Sequence, residues 1–278
     1  MSLIIYLFFI DCIYLYKSPW PILIKLKIFI IYFLLTIFLP FGNFFRLKEI
    51  YVMGYRIKGF DFRTLQFLFG EVFVRNEYYF DCDAQSPLIV DCGAEIGFTM
   101  FFFKYLFPKS TILAFEPDPT SFALLNENIR NNKLSNVIAY NRAVSDKTGA
   151  SFFYVDEENP GNLRMSLIKG RLPKKEIKVS TIRLSRKLKG RHVDYLKMDI
   201  EGYESIVLSD LNIEGTFKDI DQLGIEFHHH IISGQESSFS SFLKILEKNG
   251  YEYQMYASSF SSAMKDDFQD IMVWASKK

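Results

Sequence analysis

The chain has 278 residues, with 33 lysines and arginines against 32 aspartates and glutamates, for a formal net charge of +1. That balance excludes a nucleic-acid binder relying on an overall cationic surface, because counterion release needs dense positive charge. A hydrophobic fraction of 49% with 23% charged residues excludes a disordered chain and leaves one large domain or two small ones.

Residues 1–48 stand apart from the rest. Leu3–Leu15 is an apolar run broken only by Asp11, and it ends at Lys17-Ser18-Pro19-Trp20-Pro21. A second run, Ile22–Phe41, carries only Lys25 and Lys27 as charges. At ~1.5 Å of rise per residue its length matches the ~30 Å hydrocarbon core of a bilayer. No small-residue cleavage site follows either run, so a signal peptide is not expected. Three readings remain: a transmembrane anchor or hairpin broken at the prolines, an interfacial helix, and a buried helical cap. Runs this apolar seldom stay in water, so the expectation leans to membrane association through residues 22–41.

Residues 49–278 read as a catalytic domain. From Arg56 onward the texture is that of a soluble domain, and strand-like and helix-like segments alternate. Strands are expected at Leu88–Asp91, Thr111–Phe115, Val137–Tyr140, Val193–Met198 and Asp221–Phe227. Helices are expected at Phe98–Phe107, Thr120–Asn131, Ser205–Leu211 and Phe239–Asn249. Ser151–Val155 and Ile177–Ile182 look like extra strands, and Tyr251–Tyr256 with Asp270–Trp274 like a closing pair. This alternation specifies an α/β fold, a doubly wound and mostly parallel sheet with helices on both faces. Cys12, Cys82 and Cys92 are too few for a disulfide framework and none forms a CxxC pair, which fits a reducing, cytoplasmic setting.

Ligands of open parallel sheets bind beyond the carboxyl ends of the strands. The first expected strand ends in Asp91-Cys92-Gly93-Ala94-Glu95-Ile96-Gly97, a D-x-G-x-x-x-G turn distinct from the G-x-G-x-x-G dinucleotide fingerprint. Gly93 permits a tight turn, and Gly97 opens the helix N-terminus to an anionic group. The second ends Phe115-Glu116-Pro117-Asp118, where an acidic side chain can accept ribose hydroxyls. The third runs into Asn141-Arg142-Ala143, a small apolar wall suited to adenine. The fourth ends Lys197-Met198-Asp199-Ile200-Glu201-Gly202, and the fifth Glu226-Phe227-His228-His229-His230.

VDCGAEIG, AFEPD, RAVSD, LKMDIEGYE and IEFHH, in this order and spacing, resemble the FkbM family of S-adenosylmethionine-dependent methyltransferases over about residues 56–275. The resemblance implies a Rossmann-like class I methyltransferase fold with a seven-stranded sheet whose last strand is antiparallel. It implies S-adenosylmethionine as cofactor, bound by Asp91, Gly93, Glu95, Gly97, Glu116, Pro117, Ala143 and Asp199. Glu95 departs from the family, which usually has Asn there, and would set a negative charge near the cofactor's carboxylate. The resemblance further implies methyl transfer to a hydroxyl of a small molecule, sugar or glycan.

Removal of the hydroxyl proton falls to Asp199, Glu201 or His228. Asp199 and Glu201 are two positions apart, but the chain turns between them, so they need not converge. Successive strand residues point to opposite faces, so at most His228 and His230 share one. With no H-x-x-x-H helix and no cysteine partner, a metal is not expected. Acceptor choice is expected from the loops Asn159–Gly170 and Ser233–Ser238. Two other classes stay open: a membrane-tethered, catalytically inactive protein of this fold, and an NAD-dependent oxidoreductase, which lacks its usual glycine pattern here.

Overall fold

In a computed structural model that describes residues 3–158, 161–169, 175–228, 238–257 and 270–277, the apolar N-terminus folds into three helices. They are α1 (Leu3–Lys17), α2 (Ile22–Ile37) and α3 (Leu39–Phe44). The second apolar run is therefore not one helix. It breaks at Phe38, because Pro40 in the first turn of α3 has no N–H to continue the ladder. The 16 residues of α2 rise only about 24 Å. Among the described residues no helix is long and apolar enough to cross a membrane, which corrects the reading of Ile22–Phe41 as a spanning anchor.

One face of these helices is buried. Leu15, Trp20, Ile28, Tyr32, Leu35 and Leu39 join the core of the rest of the chain. Trp20 meets Phe102 and Tyr105 edge to face and donates its indole N–H to the carbonyl of Phe73. A polar lock reinforces the apolar seam. Asp11, 4% exposed, accepts a hydrogen bond from Tyr32 and lies 3.3 Å from Arg75. The opposite face stays open, with Leu23, Leu26, Ile30, Phe33, Leu34 and Ile37 all exposed.

A hairpin, β1 (Glu49–Val52) and β2 (Tyr55–Lys58), follows, then α4 (Phe62–Phe69) running into a π-helical turn at Gly70–Val74. Neither was expected from the sequence. Each strand has only four residues, and the π turn breaks the helical period. Next come β3 (Leu88–Cys92), α5 (Phe98–Leu106), β4 (Thr111–Phe115), α6 (Pro119–Asn131) and β5 (Val137–Tyr140). The third expected strand end divides here. β5 stops at Tyr140, and Ala143–Ser145 forms β6 in a separate sheet with β7 (Gly149–Val155) and β8 (Lys175–Arg183). The chain then returns through α7 (Leu184–Leu188), β9 (Val193–Met198), α8 (Glu204–Ile213), β10 (Ile220–His228), α9 (Phe239–Lys248), β11 (Tyr251–Ala257) and β12 (Asp270–Lys277).

The main sheet has seven strands in the order β11-β12-β10-β9-β3-β4-β5, and β12 runs antiparallel to both its neighbours. Helices cover both faces. One core joins α5, α6 and the N-terminal helices, and the other joins α7, α8 and α9. This is the doubly wound, mostly parallel architecture expected. Strand order reverses between β3 and β9, and ligands of such sheets bind at that switch point. Of the expected acceptor loops, 159, 160, 170 and 233–237 lie outside the described residues, as do His229 and His230.

The Asp11 lock makes docking of the N-terminal helices testable. Asp11→Ala leaves the buried Tyr32 hydroxyl without its acceptor and removes one of Arg75's carboxylates. The full chain should lose about 1–3 kcal/mol in urea denaturation. An unchanged midpoint would show that α1 is not held this way.

Candidate functional site

Period-two alternation decides which strand-end side chains meet. Ile89 and Tyr195 point into the core shared with the N-terminal helices, whereas Leu196, Met198, Ile225 and Phe227 point into the other. Asp91, Lys197, Asp199, Glu226 and His228 keep the parity of the first set, and the pairing of β3, β9 and β10 sets them side by side.

Lys197 is the hub. Its side chain is 2% exposed and lies 3.5 Å from Asp91 and 3.7 Å from Asp199. Its ammonium donates to the carbonyl of Gly93 at 2.7 Å and sits 5.3 Å from the centre of the Tyr78 ring. Burial alone would lower its pKa, but Asp91, Asp199 and Glu226 outweigh that and hold it above the ordinary lysine value. Asp91, fully buried, also accepts from the Thr99 hydroxyl at 2.6 Å, and its Oδ1 has no hydrogen-bond partner among the described residues. Gly93 has φ +82°, and a Cβ there would collide with the carbonyl oxygen of Asp199. The Asp199 amide donates to Cys92 at 3.1 Å, so the ends of β3 and β9 are welded together. Gly97, at φ +90°, opens α5.

Glu116 props the glycine loop. Its two carboxylate oxygens each accept a backbone N–H at 2.8 Å, from Glu95 and from Asp118. Burial raises its pKa to about 8 against the lowering effect of those two amides. Asn141 ties the next turn down by donating to the carbonyls of Glu116 and Pro117. Glu95 is left-handed at φ +49°, a conformation that Asn tolerates better than Glu. Burial, then the nearby Glu116, pushes its carboxyl well above the usual range and so toward the neutral form. Ala143 is placed in β6, packed among Phe153, Val155 and Val179.

The fourth and fifth strand ends converge on one imidazole. His228 Nδ1 is 3.0 Å from Glu204, a buried carboxylate that also accepts from the amides of Ile200 and Gly202. Nε2 faces Glu201 at 3.3 Å, Asp270 at 3.7 Å, Asp199 at 3.9 Å and Glu226 at 4.0 Å. Burial lowers the imidazole's pKa, but Glu201 and Glu204 reverse this and hold it well above the usual value. Asp199 and Glu201, whose convergence the sequence left open, both reach His228. The sharp bend is visible in the backbone, with φ +56° at Glu201 and +103° at Gly202. Tyr78, buried, donates toward Glu226 at 3.2 Å and Asp199 at 3.4 Å.

Glu204, Lys197, Glu226 and Tyr78 escaped the sequence reading of this site. Lys197 had a legible signal, a lysine between Leu196 and Met198 in a buried strand. Glu226 had one too, since it shares parity with His228. Tyr78 had none, because it arrives from a loop 121 residues before Asp199.

Comparison with known proteins identifies the family. The model of the "Methyltransferase FkbM domain" family matches residues 91–253, more than half of the chain. This chain belongs to the FkbM methyltransferase family. Methyltransferase 1 of Beauveria bassiana is 28% identical over 209 residues, covering 67% of this chain and 81% of the relative. Methyltransferase sdnD of Sordaria araneosa is 35% identical over 98 residues, covering 35% of this chain and 38% of the relative. A crystal structure of the FkbM methyltransferase from Methylobacillus flagellatus aligns with a TM-score of 0.49 at 14% identity, covering 87% of this chain and 59% of that one. Its FkbM membership makes the chain a methyltransferase, and S-adenosylmethionine is the cofactor consistent with that family.

Lys197→Met keeps the length of the side chain and removes its charge. Asp91 is then left buried with no cation beside it, so the variant should lose about 3–5 kcal/mol of stability in urea denaturation. Retained wild-type stability would show that the ammonium is not the hub of the site.

Proposed function

We propose that the protein transfers a methyl group from S-adenosylmethionine to a hydroxyl oxygen of a small molecule or carbohydrate. The observation that carries this reading is the convergence, at the switch point between β3 and β9, of a propped glycine loop with a cluster of carboxylates around His228. Bound there, S-adenosylmethionine supplies a methyl group activated by a sulfonium leaving group. The chain's own tasks are then alignment, exclusion of water and removal of the hydroxyl proton.

The residues are suited to those tasks. Asp91, Gly93 and Gly97 line the methionine side, and each Glu116 oxygen keeps a lone pair for a ribose hydroxyl beyond the amide it already accepts. Burial disfavours the charged form of Glu95 and so weakens its repulsion of the cofactor's carboxylate. Pro117 follows Glu116 on the cofactor side, and Ala143 begins β6, three positions after the end of β5. The side chains of Asp199, Glu201, Glu226 and Asp270 are 27%, 13%, 27% and 46% exposed, so an acceptor can approach these carboxylates of the cluster, whereas Glu204 is buried. The hydroxyl proton passes to this cluster.

Binding and catalysis separate by mutation. Glu116→Ala removes a hydrogen-bond acceptor for the ribose, a loss of about 1–3 kcal/mol or about five- to a hundredfold in cofactor affinity by calorimetry, with turnover at saturation held. Asp199→Asn should instead lower turnover by about a hundredfold or more while cofactor affinity barely changes. Unchanged affinity in Glu116→Ala would refute the cofactor placement. Loss of turnover in His228→Ala but not in Asp199→Asn would show that turnover depends on the fifth strand end and not on Asp199.

We infer in addition that the domain works against an anionic membrane surface. Support comes from the open face of α2 and α3, where Phe33, Ile37, Phe41 and Phe44 are exposed. Between Cys12 and Lys48 the chain carries Lys17, Lys25, Lys27, Arg46 and Lys48 and no acidic residue, a charge pattern complementary to acidic headgroups. The full chain should sediment with phosphatidylcholine vesicles containing phosphatidylserine, and less with phosphatidylcholine alone. Failure to sediment with the anionic vesicles would discard the surface.

A further inference from the structure

Glu204 fixes the tautomer of His228. Its Oε1 already accepts two backbone amides, so it accepts a third bond from His228 Nδ1–H. With Nδ1 given to Glu204, Nε2 is the ring nitrogen that faces away from Glu204, in a residue 5% exposed. Nε2 then faces only carboxylate oxygens, and among the described residues it hydrogen-bonds to none of them. Its separations from Asp199 and Glu226, 3.9 and 4.0 Å, are too long for hydrogen bonds. They are only slightly wider than the ~3.0–3.5 Å between ligands that share an ion bound at ~2.1 Å. The ligand atoms of Asp199, Glu226 and His228 lie within 4.8 Å of one another. A histidine whose far nitrogen is held by a buried carboxylate is the usual outer support of a metal ligand.

Charge points the same way. Asp91, Asp199, Glu201, Glu204, Glu226 and Asp270 gather around one lysine, Lys197, and the imidazole of His228. Lys197 is committed to Asp91 and to the Gly93 carbonyl. Asp199 turns Oδ2 toward Lys197 and Tyr78 and leaves Oδ1 for the gap.

We propose that Asp199, Glu226 and His228 Nε2 bind one divalent cation of the Mn²⁺ class, with Glu204 as the positioning residue behind the imidazole and the acceptor hydroxyl as a further ligand. The mixed imidazole and carboxylate donors fit such an ion. The inference rests on the reading of this cleft as the acceptor side. Ligation makes the hydroxyl more acidic, and its proton passes to the Glu201 carboxylate. The oxygen then forms its bond to the methyl carbon as the carbon–sulfur bond breaks. Sequence spacing argued against a metal at these residues, because the ligands are neither in one helix nor in one motif and join only through the pairing of β9 with β10.

The test is direct binding of Mn²⁺ to the full chain after EDTA treatment, by calorimetry and by the electron paramagnetic resonance of free Mn²⁺. One ion per chain is expected. Glu226→Gln, nearly isosteric, and His228→Gln should each weaken binding at least tenfold, and Glu204→Gln ten- to a hundredfold. Circular dichroism and S-adenosylmethionine affinity report whether each variant is folded. No Mn²⁺ uptake by the EDTA-treated chain overturns the site, as does wild-type affinity in both Glu226→Gln and His228→Gln. Mn²⁺ uptake without S-adenosylmethionine binding would keep the metal site and remove the methyl-transfer reading. Methyl transfer indifferent to EDTA would keep that reading and remove the metal.

Discussion

A buried ammonium holds the site of this protein together. Lys197 sits in a strand whose every residue is buried, and such a charge is tolerable only beside opposite charge and hydrogen-bond acceptors. Asp91 on β3, Asp199 at the end of β9 and the Gly93 carbonyl supply both. The close approach of Gly93 to the Asp199 backbone completes the junction, since only a residue without Cβ fits. The two strands that flank the switch point are thereby fixed against each other, and the glycine loop and the carboxylate cluster keep one relative position. Rigid placement of this kind is what a transfer reaction with a ready leaving group asks of its enzyme.

The N-terminal helices are tied to the same centre by a short polar chain. Asp11 contacts Arg75, Arg75 contacts Glu77, and the next residue is Tyr78, whose hydroxyl reaches Glu226 and Asp199. Trp274 on β12 donates to the carbonyl of Glu77 at 2.6 Å and pins the segment to the sheet. The segment that seats the N-terminus thus also forms one wall of the site. The inner face of α1 and α2 packs on the rest of the chain, while their outer face stays apolar and exposed.

Most of the sheet was legible in the sequence. Val137–Tyr140 and Val193–Met198 fall where expected, and the other main-sheet strands and helices match to within a few residues, because short runs of buried apolar residues bounded by turn signals leave few alternatives. β1, β2 and the π-helical turn were not legible: four-residue strands and a broken helical period give no pattern to count. Ala143 shows a different limit. Its small apolar neighbourhood was visible, but the sheet that it joins depends on pairing with Thr181, far along the chain.

The sequence by itself determined the fold class and the family, because strand-end motifs such as DCGAEIG and FEPD must be contiguous to form their turns. It also determined that Glu116, Asp199 and His228 stand at strand ends. Only the tertiary structure decided that Glu204 holds the imidazole, that Glu226 and Tyr78 join the cluster and that α2 stops short of spanning length. Those outcomes depend on which strands pair and on which helix face finds a partner, and neither is encoded within a turn's length of the residues concerned.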